Sequence, residues 1–294
     1  MKKLISISGP TAIGKTKKAI ELALFLNTEI ISFDSRQFYK EMKIGTAPPS
    51  KQELSKVKHH FIHNKSIFDN YNVYDFSIDA KSCIDILFKK YDNIILVGGS
   101  FLFLNSIIKE LDEMPNIPLE LREKLNYDYQ KKGKEYILNL LKKIDPIYLE
   151  MVDKNNHRRV IRALEVSIQS KKPYSSFLGK KHNSKYNHVS IALNDERNNI
   201  HNLINDRVDL MLKNGLLDEA EQLHKYSHLN TLNTVGYKEL FNYLDGKVSK
   251  VDAVEHIKRN TRRFAKKQIT WLNNNGKHIW FNPNNSVDDI KSVL

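Results

Sequence analysis

Apolar residues in the first third of the chain come in short runs separated by amphipathic stretches. Residues 4–7 form an uninterrupted apolar run, and Ala19, Leu22, Ala23 and Leu26 follow at the spacing of one buried helical face. A second strand is expected over residues 29–33, ending at Asp34. A looping segment marked by Pro48-Pro49 and His59-His60 separates it from a helix over 78–90 and a buried strand over 94–97, which Gly98-Gly99 close. Strand, helix and strand in that order imply parallel crossovers, so the fold class is α/β with a doubly wound sheet. The texture changes after residue 108. Pro115 and Pro118 mark a boundary, and residues 119–174 carry helical periodicity with Leu125, Ile137, Leu140, Leu141, Ile161 and Leu164 as core. A polar, basic connector over 171–187 leads into a strand over 189–193. Helices are expected over 198–213, with Gly215 as stop, over 237–244 and over 251–273. The expected division is a discontinuous core domain, 1–113 with 187–294, and an all-helical insertion, 114–186.

The last helix separates charge from apolar surface. At about 100° per residue, Lys258, Arg259, Arg262, Arg263, Lys266 and Lys267 share one half of the circumference. Val254, Ile257, Phe264, Gln268, Trp271 and Leu272 fall opposite, as the packing face. The whole chain carries 47 Lys and Arg against 34 Asp and Glu, a formal charge of +13. A surplus of that size favours a polyanionic partner such as nucleic acid. Lysine enrichment from genome composition is the alternative, and the cationic stripe, with a basic insertion, shifts the balance towards nucleic acid.

No apolar stretch approaches membrane-spanning length, and the first strand begins so early that no signal peptide is expected; the chain reads as cytoplasmic, with no membrane partner. The single cysteine, Cys83, cannot form an internal disulfide and is expected as a small core residue.

Candidate chemistry begins at Gly9-Pro10-Thr11-Ala12-Ile13-Gly14-Lys15-Thr16, which matches the phosphate-loop pattern G-x-x-x-x-G-K-[ST] between a strand and a helix. The glycines allow the backbone N–H groups to curl around phosphates, Lys15 adds a positive charge, and the Thr16 hydroxyl can ligate a Mg²⁺ ion. The helix N-terminus favours an anion at the same place. This points to a site for a di- or triphosphate in a P-loop NTPase-like parallel sheet flanked by helices. Asp34-Ser35-Arg36-Gln37 follows the second strand. Asp34 there is a metal-associated group, a general base or a cap of the next helix. Arg158 and Arg162 lie four apart on one helical face, and Arg207 sits in a later helix; each is a phosphate clamp or an ordinary ion-pair partner.

In this order, the phosphate loop, Asp34-Ser35-Arg36-Gln37, Ile44-Gly45-Thr46-Ala47, His59-His60, Val97-Gly98-Gly99, Arg159-Val160-Ile161-Arg162-Ala163-Leu164-Glu165-Val166, Val235-Gly236-Tyr237-Lys238-Glu239 and Lys266-Lys267-Gln268-Ile269-Thr270-Trp271 resemble the bacterial tRNA dimethylallyltransferases. The resemblance spans nearly the whole chain. It implies transfer of a dimethylallyl group from dimethylallyl diphosphate to N6 of adenine 37, beside the tRNA anticodon. It further implies that Thr11, Lys15 and Thr16 hold the diphosphate, with Mg²⁺ on Thr16 and Arg207 on the same leaving group. Asp34 would accept the N6 proton. Residues Asp34, Ser35, Arg36, Gln37, Ser100, Arg122, Arg158, Arg159, Val160, Ile161 and Arg162 would touch the anticodon stem-loop. A monomer is expected.

Several positions depart from the family pattern. Ser100, Phe101 and Phe103 stand where Thr, Gly and Tyr are usual, His63 where Asp is common, and Leu203 at a usual Arg position. Rival readings are a small-molecule P-loop kinase, a prenyltransferase of free adenine nucleotides and a non-catalytic RNA-binding module.

Overall fold

The computed structural model describes residues 2–109, 111–179 and 186–294. Its strands are β1 (Lys3–Ser8), β2 (Ile30–Ser32), β3 (His59–His60), β4 (Asn93–Val97), β5 (Asn187–Leu193) and β6 (Ile279–Phe281). The helices are α1 (Lys15–Phe25), α2 (Lys51–Lys56), α3 (Val73–Leu87), α4 (Phe101–Ile108), α5 (Leu119–Ile144), α6 (Pro146–Met151), α7 (His157–Ser170), α8 (Arg197–Lys213), α9 (Leu216–His224), α10 (Tyr237–Leu244), α11 (Lys250–Asn274) and α12 (Val287–Lys291). Chain contacts define two units, Met1–Lys109 with Ser184–Leu294, and Glu110–Asn183.

The first unit is built on one sheet in the order β3-β2-β4-β1-β5-β6, with every pair parallel. The central strands β2 and β4 are near-continuous apolar runs because both faces are covered. Alternate side chains serve the two faces. Ile5, Ile7, Ile95 and Val97 pack with Ala19, Leu22 and Ala23 of α1 and Ile200 and Ile204 of α8. Leu4, Ile94 and Leu96 pack on the other side with Phe76, Ala80 and Ile84 of α3 and Leu104 and Ile107 of α4. Truncating a fully buried residue such as Ile95 to Ala costs roughly 2–5 kcal/mol. A third cluster joins α9, α10 and the first half of α11 to Tyr39, Met42 and Ile67.

The second unit consists of helices around Leu125, Ile137, Leu141, Val160, Ile161 and Leu164. Its longest helix, α5, breaks at Gly133, whose φ of 78° no helix tolerates. Residues 180–185 of the expected connector lie outside the described residues.

Several elements differ from expectation. Helix α3 begins at Val73 rather than 78, because Asn72 and Asp75 form a reciprocal capping box there. Helix α9 and strand β6 were not anticipated. Gly215 does more than stop α8: with φ 96° it is the N-cap of α9, so one left-handed residue turns the chain from helix to helix. Cys83 is only partly enclosed beside the α3 core, and burial pushes its thiol up to about 11, which keeps it protonated. No helix among the described residues is long and apolar enough to cross a membrane.

Candidate active site

Parallel sheets present their chemistry at the carboxyl ends of the strands. The phosphate loop follows β1, Asp34 lies just beyond β2, and Gly98-Gly99-Ser100 link β4 to α4. The loop's shape depends on glycine. Gly9 has φ 146°, and a Cβ there would stand 2.6 Å from the Leu193 carbonyl oxygen at the end of β5. Gly14, at φ 92°, is the N-cap of α1. The curled backbone is closed from within by the Lys15 Nζ, which donates to the Pro10 carbonyl at 2.8 Å.

Thr11, Asp34, Ser35, Arg36, Ser100 and Arg207 line one cavity of about 610 Å³. Its remaining wall is largely apolar, with Phe101, Phe103, Val208, Met211, Phe264 and Trp271. A mostly apolar pocket with a few charged and hydroxyl groups in its wall suits a ligand with a charged head and a hydrocarbon tail. The Arg207 Nη2 donates to the Thr11 hydroxyl, joining α8 to the phosphate loop. Ser100 Oγ accepts from the Ser35 N–H at 3.1 Å and donates to Ser35 Oγ at 3.0 Å, so two expected site residues meet. Ser in place of the usual Thr preserves that hydroxyl.

Charge is concentrated here. Burial, then the neighbouring Arg207, bring the Lys15 ammonium down to about 7, while Asp34 opposes the drop. Burial also lowers Arg207, to about 10, again against the pull of Asp34. Two desolvated cations beside a single carboxylate form a site whose unmet electrostatic need is an anion. Asp34 Oδ1 accepts from the Arg36 N–H at 3.0 Å. It caps a turn there, not a helix, and Oδ2 has no hydrogen bond from the described residues.

Gln268 was expected only as part of the packing face of α11, yet it organises the site. Its Oε1 accepts from the Thr11 N–H at 2.8 Å, and its Nε2 donates to the Gly99 carbonyl at 3.0 Å. A Cβ on Gly99 would come within 2.3 Å of that nitrogen, which explains the glycine. A polar side chain in a buried helical register is the sequence signal for such a bonded role. Glu219 was also missed, because α9 was. It is buried, and it accepts from the N–H groups of Lys43, Ile44 and Gly45 and from the Tyr237 hydroxyl at 2.6 Å. The Tyr237 ring packs so closely on Gly45 that a Cβ there would lie 2.6 Å from it. Two of the ordered motifs therefore meet at one carboxylate and shape the cavity wall at Gly45 and Thr46.

Other expected site residues are placed differently. Lys15 and Thr16 open α1 without lining the cavity, although Lys15 Nζ lies 4.0 Å from the Cβ position of Gly99. Gln37 uses its amide internally: Nε2 donates to the carbonyls of Thr46 and Ala47, and Oε1 accepts from Ser32. Arg36 donates to the Thr231 carbonyl at 2.8 Å. His60 pairs with Glu29 at 2.6 Å, and neither His59 nor His60 lines the cavity. In the second unit, Arg122 and Arg162 both hold the buried Glu165. Arg158 and Arg159 are exposed. Val160 and Ile161, expected to touch RNA, have their side chains buried in that unit's own core. Phe264 is likewise not packed; it is 46% exposed because it faces the cavity.

The profile of the IPP transferase family matches residues 37–275. The chain is 48% identical to a tRNA dimethylallyltransferase of Flavobacterium johnsoniae, over 99% of this chain and 96% of that one. It is 47% identical to the protein of the same name from Christiangramia forsetii, over 99% and 98%. Among solved structures, the full-length tRNA isopentenylpyrophosphate transferase of Bacillus halodurans superposes with a TM-score of 0.73 at 36% identity, covering all of this chain and 94% of that one. A eukaryotic dimethylallyltransferase acting on tRNA superposes at 0.84 with 25% identity, covering all of this chain and 78% of that one. The chain belongs to the IPP transferase family.

Proposed function

We propose that this protein transfers the dimethylallyl group of dimethylallyl diphosphate to N6 of adenine 37 in tRNA, releasing diphosphate. One observation carries the reading: Thr11, Arg207 and Asp34 face a single, mostly apolar cavity, with Lys15 in electrostatic reach of the last two. The cations suit a diphosphate, the apolar wall suits a five-carbon tail, and the carboxylate suits an amine that must lose a proton.

The lone pair of adenine N6 is delocalised into the ring, which makes it a poor nucleophile. Asp34 accepting its proton raises its reactivity as the C–N bond forms. The allylic carbon shares positive charge with its double bond, so the displacement is loose and charge grows on the departing diphosphate. Arg207, Lys15 and the loop N–H groups interact most strongly at that moment, and this difference lowers the barrier. The apolar wall excludes the water that would otherwise hydrolyse the donor. Adenine 37 must leave its stack to reach Asp34, at a cost of about a few kcal/mol that backbone contacts offset.

The residues present fit a Mg²⁺ ion that arrives with the diphosphate. Thr16 supplies one hydroxyl at the first turn of α1, and no cluster of three His, Cys, Asp or Glu among the described residues forms a separate cage. Mg²⁺ commonly takes few protein ligands alongside substrate phosphates. When bound, it would neutralise charge on the leaving group. The protein acts as a monomer in this reading.

The test is mass spectrometry of tRNA nucleosides after incubation with protein, donor and Mg²⁺. A five-carbon addition to one adenosine is the expected outcome; free AMP modified in preference to tRNA would refute the choice of acceptor.

A further inference from the structure

The pairing of β1 with β4 ends at Ile7 and Val97, where the Gly98 N–H reaches the Ile7 carbonyl at 3.4 Å. Beyond that point one strand becomes the phosphate loop and the other becomes Gly99-Ser100. The Gln268 amide stands between these loops and offers what a peptide group would, an acceptor to the Thr11 N–H and a donor to the Gly99 carbonyl. Only one orientation of the amide serves, because the flipped form sets oxygen against oxygen and N–H against N–H. The side chain is 4% exposed, so water competes little for either bond.

Each loop carries one half of the chemistry. On the leaving-group side, Thr11 is held a second time, through its hydroxyl, by Arg207. On the acceptor side, the Ser100 hydroxyl bonds both the N–H and the hydroxyl of Ser35, and Asp34 is the residue before Ser35. The rung stands on a fixed base. Lys258 with Asp209 at 2.8 Å and Arg262 with Asn205 at 2.7 Å tie α11 to α8, the helix that carries Arg207. An unbroken series of bonded groups therefore runs from Arg207 through Thr11, Gln268, Gly99-Ser100 and Ser35 to Asp34.

We propose that Gln268 is a positioning residue that sets the separation between the leaving-group loop and the base at Asp34. The inference rests on the transferase reading above. Both ends of the amide are committed to backbone groups, so Gln268 acts through Thr11 and Ser100. Transfer needs the diphosphate and the adenine amine aligned about one carbon, and a misplacement of about 1 Å costs on the order of 10²-fold in rate. Donor binding uses one loop; the chemical step uses both. The loss of the rung is therefore felt most in the step that needs Asp34.

The test is single-turnover transfer to a synthetic anticodon stem-loop RNA at saturating donor and RNA, using the full-length protein. Gln268→Met loses both bonds, and Gln268→Glu keeps the size of the side chain and loses the donor to Gly99. Each is made alone and in an Asp34→Asn background, with thermal melting to identify folded variants; Gln268→Glu carries the test if Gln268→Met does not fold. Either variant should slow the chemical step roughly 10–100-fold when Asp34 is present, and less than about threefold in the Asp34→Asn background, where placement of the carboxylate no longer counts. Release of Thr11 by Gln268→Met should raise the donor KM by the same factor in both backgrounds. If the folded variants slow transfer equally in the two backgrounds, or not at all, the positioning role is overturned and the transferase reading stands. If the unaltered protein transfers no dimethylallyl group, the failure lies in the transferase reading.

Discussion

Donor binding should draw a proton from solution. In the free protein Lys15 titrates near 7, chiefly through burial and then through Arg207, whereas an exposed lysine titrates at 10.5. At pH 8 roughly one-tenth of the molecules carry charged Lys15, and a bound diphosphate, pairing with the ammonium, restores the charge in nearly all of them. Uptake of about 0.9 proton is expected at pH 8 and about 0.1 at pH 6, where Lys15 is already charged. Donor affinity should fall about tenfold between these pH values, or about 1.4 kcal/mol. The unfolded chain binds more protons than the folded one between 7 and 10.5, so the Lys15 contribution destabilises the free protein below 7 and is relieved as pH rises through that window. The assay is calorimetric titration of dimethylallyl diphosphate with Mg²⁺ and without RNA, in two buffers of different ionisation enthalpy. Arg207→Gln removes a lowering influence on Lys15 and should reduce the uptake at pH 8. Identical heats in the two buffers at pH 8 would refute the coupling.

Further outcomes are specific. Asp34→Asn should lower kcat roughly 10²–10⁴-fold with RNA affinity nearly unchanged, measured by single-turnover transfer; full activity would remove Asp34 from the chemical step. Gly99→Ala drives a methyl into Gln268 Nε2 and should release the Thr11 clasp, costing about 1–3 kcal/mol in denaturant unfolding and raising the donor KM. Glu219→Ala leaves three backbone N–H groups and the Tyr237 hydroxyl without their acceptor and should cost at least about 3 kcal/mol, or roughly 6–12 °C of melting temperature. Glu219→Gln, which keeps one acceptor oxygen, should lose less.

Much of this was legible in the sequence where local pattern and position coincide. Apolar runs gave β1, β2 and β4, and the phosphate loop between β1 and α1 fixed where anions bind. Asp34 and Arg207 stood out with their roles open, and the resemblance chose the roles and added Ser100; the fold brings all three to one cavity from the ends of β2 and β4 and from α8. Residues with roles set by tertiary partners were hidden. Glu219 reads as an ordinary acidic residue of a short helix, and only folding brings it to Lys43, Ile44 and Gly45. Phe264 follows the apolar register of α11 but faces a cavity, because periodicity cannot distinguish a core from a pocket wall. Val160 and Ile161 sit in a motif of arginines, and motif membership obscured their helical period, which directs them inward. Strand β6 is three residues long, and its pairing with β5 alone defines it.

The central claim is that the phosphate loop stabilises a departing diphosphate instead of passing a phosphoryl group onward. The most direct measurement follows diphosphate and N6-dimethylallyladenosine in the same reaction of purified protein, tRNA, Mg²⁺ and dimethylallyl diphosphate, with ATP as a competing donor. Equal molar yields of the two products, with ATP intact, are expected. ATP consumed and a phosphorylated product formed, with no prenylated adenosine, would contradict the account.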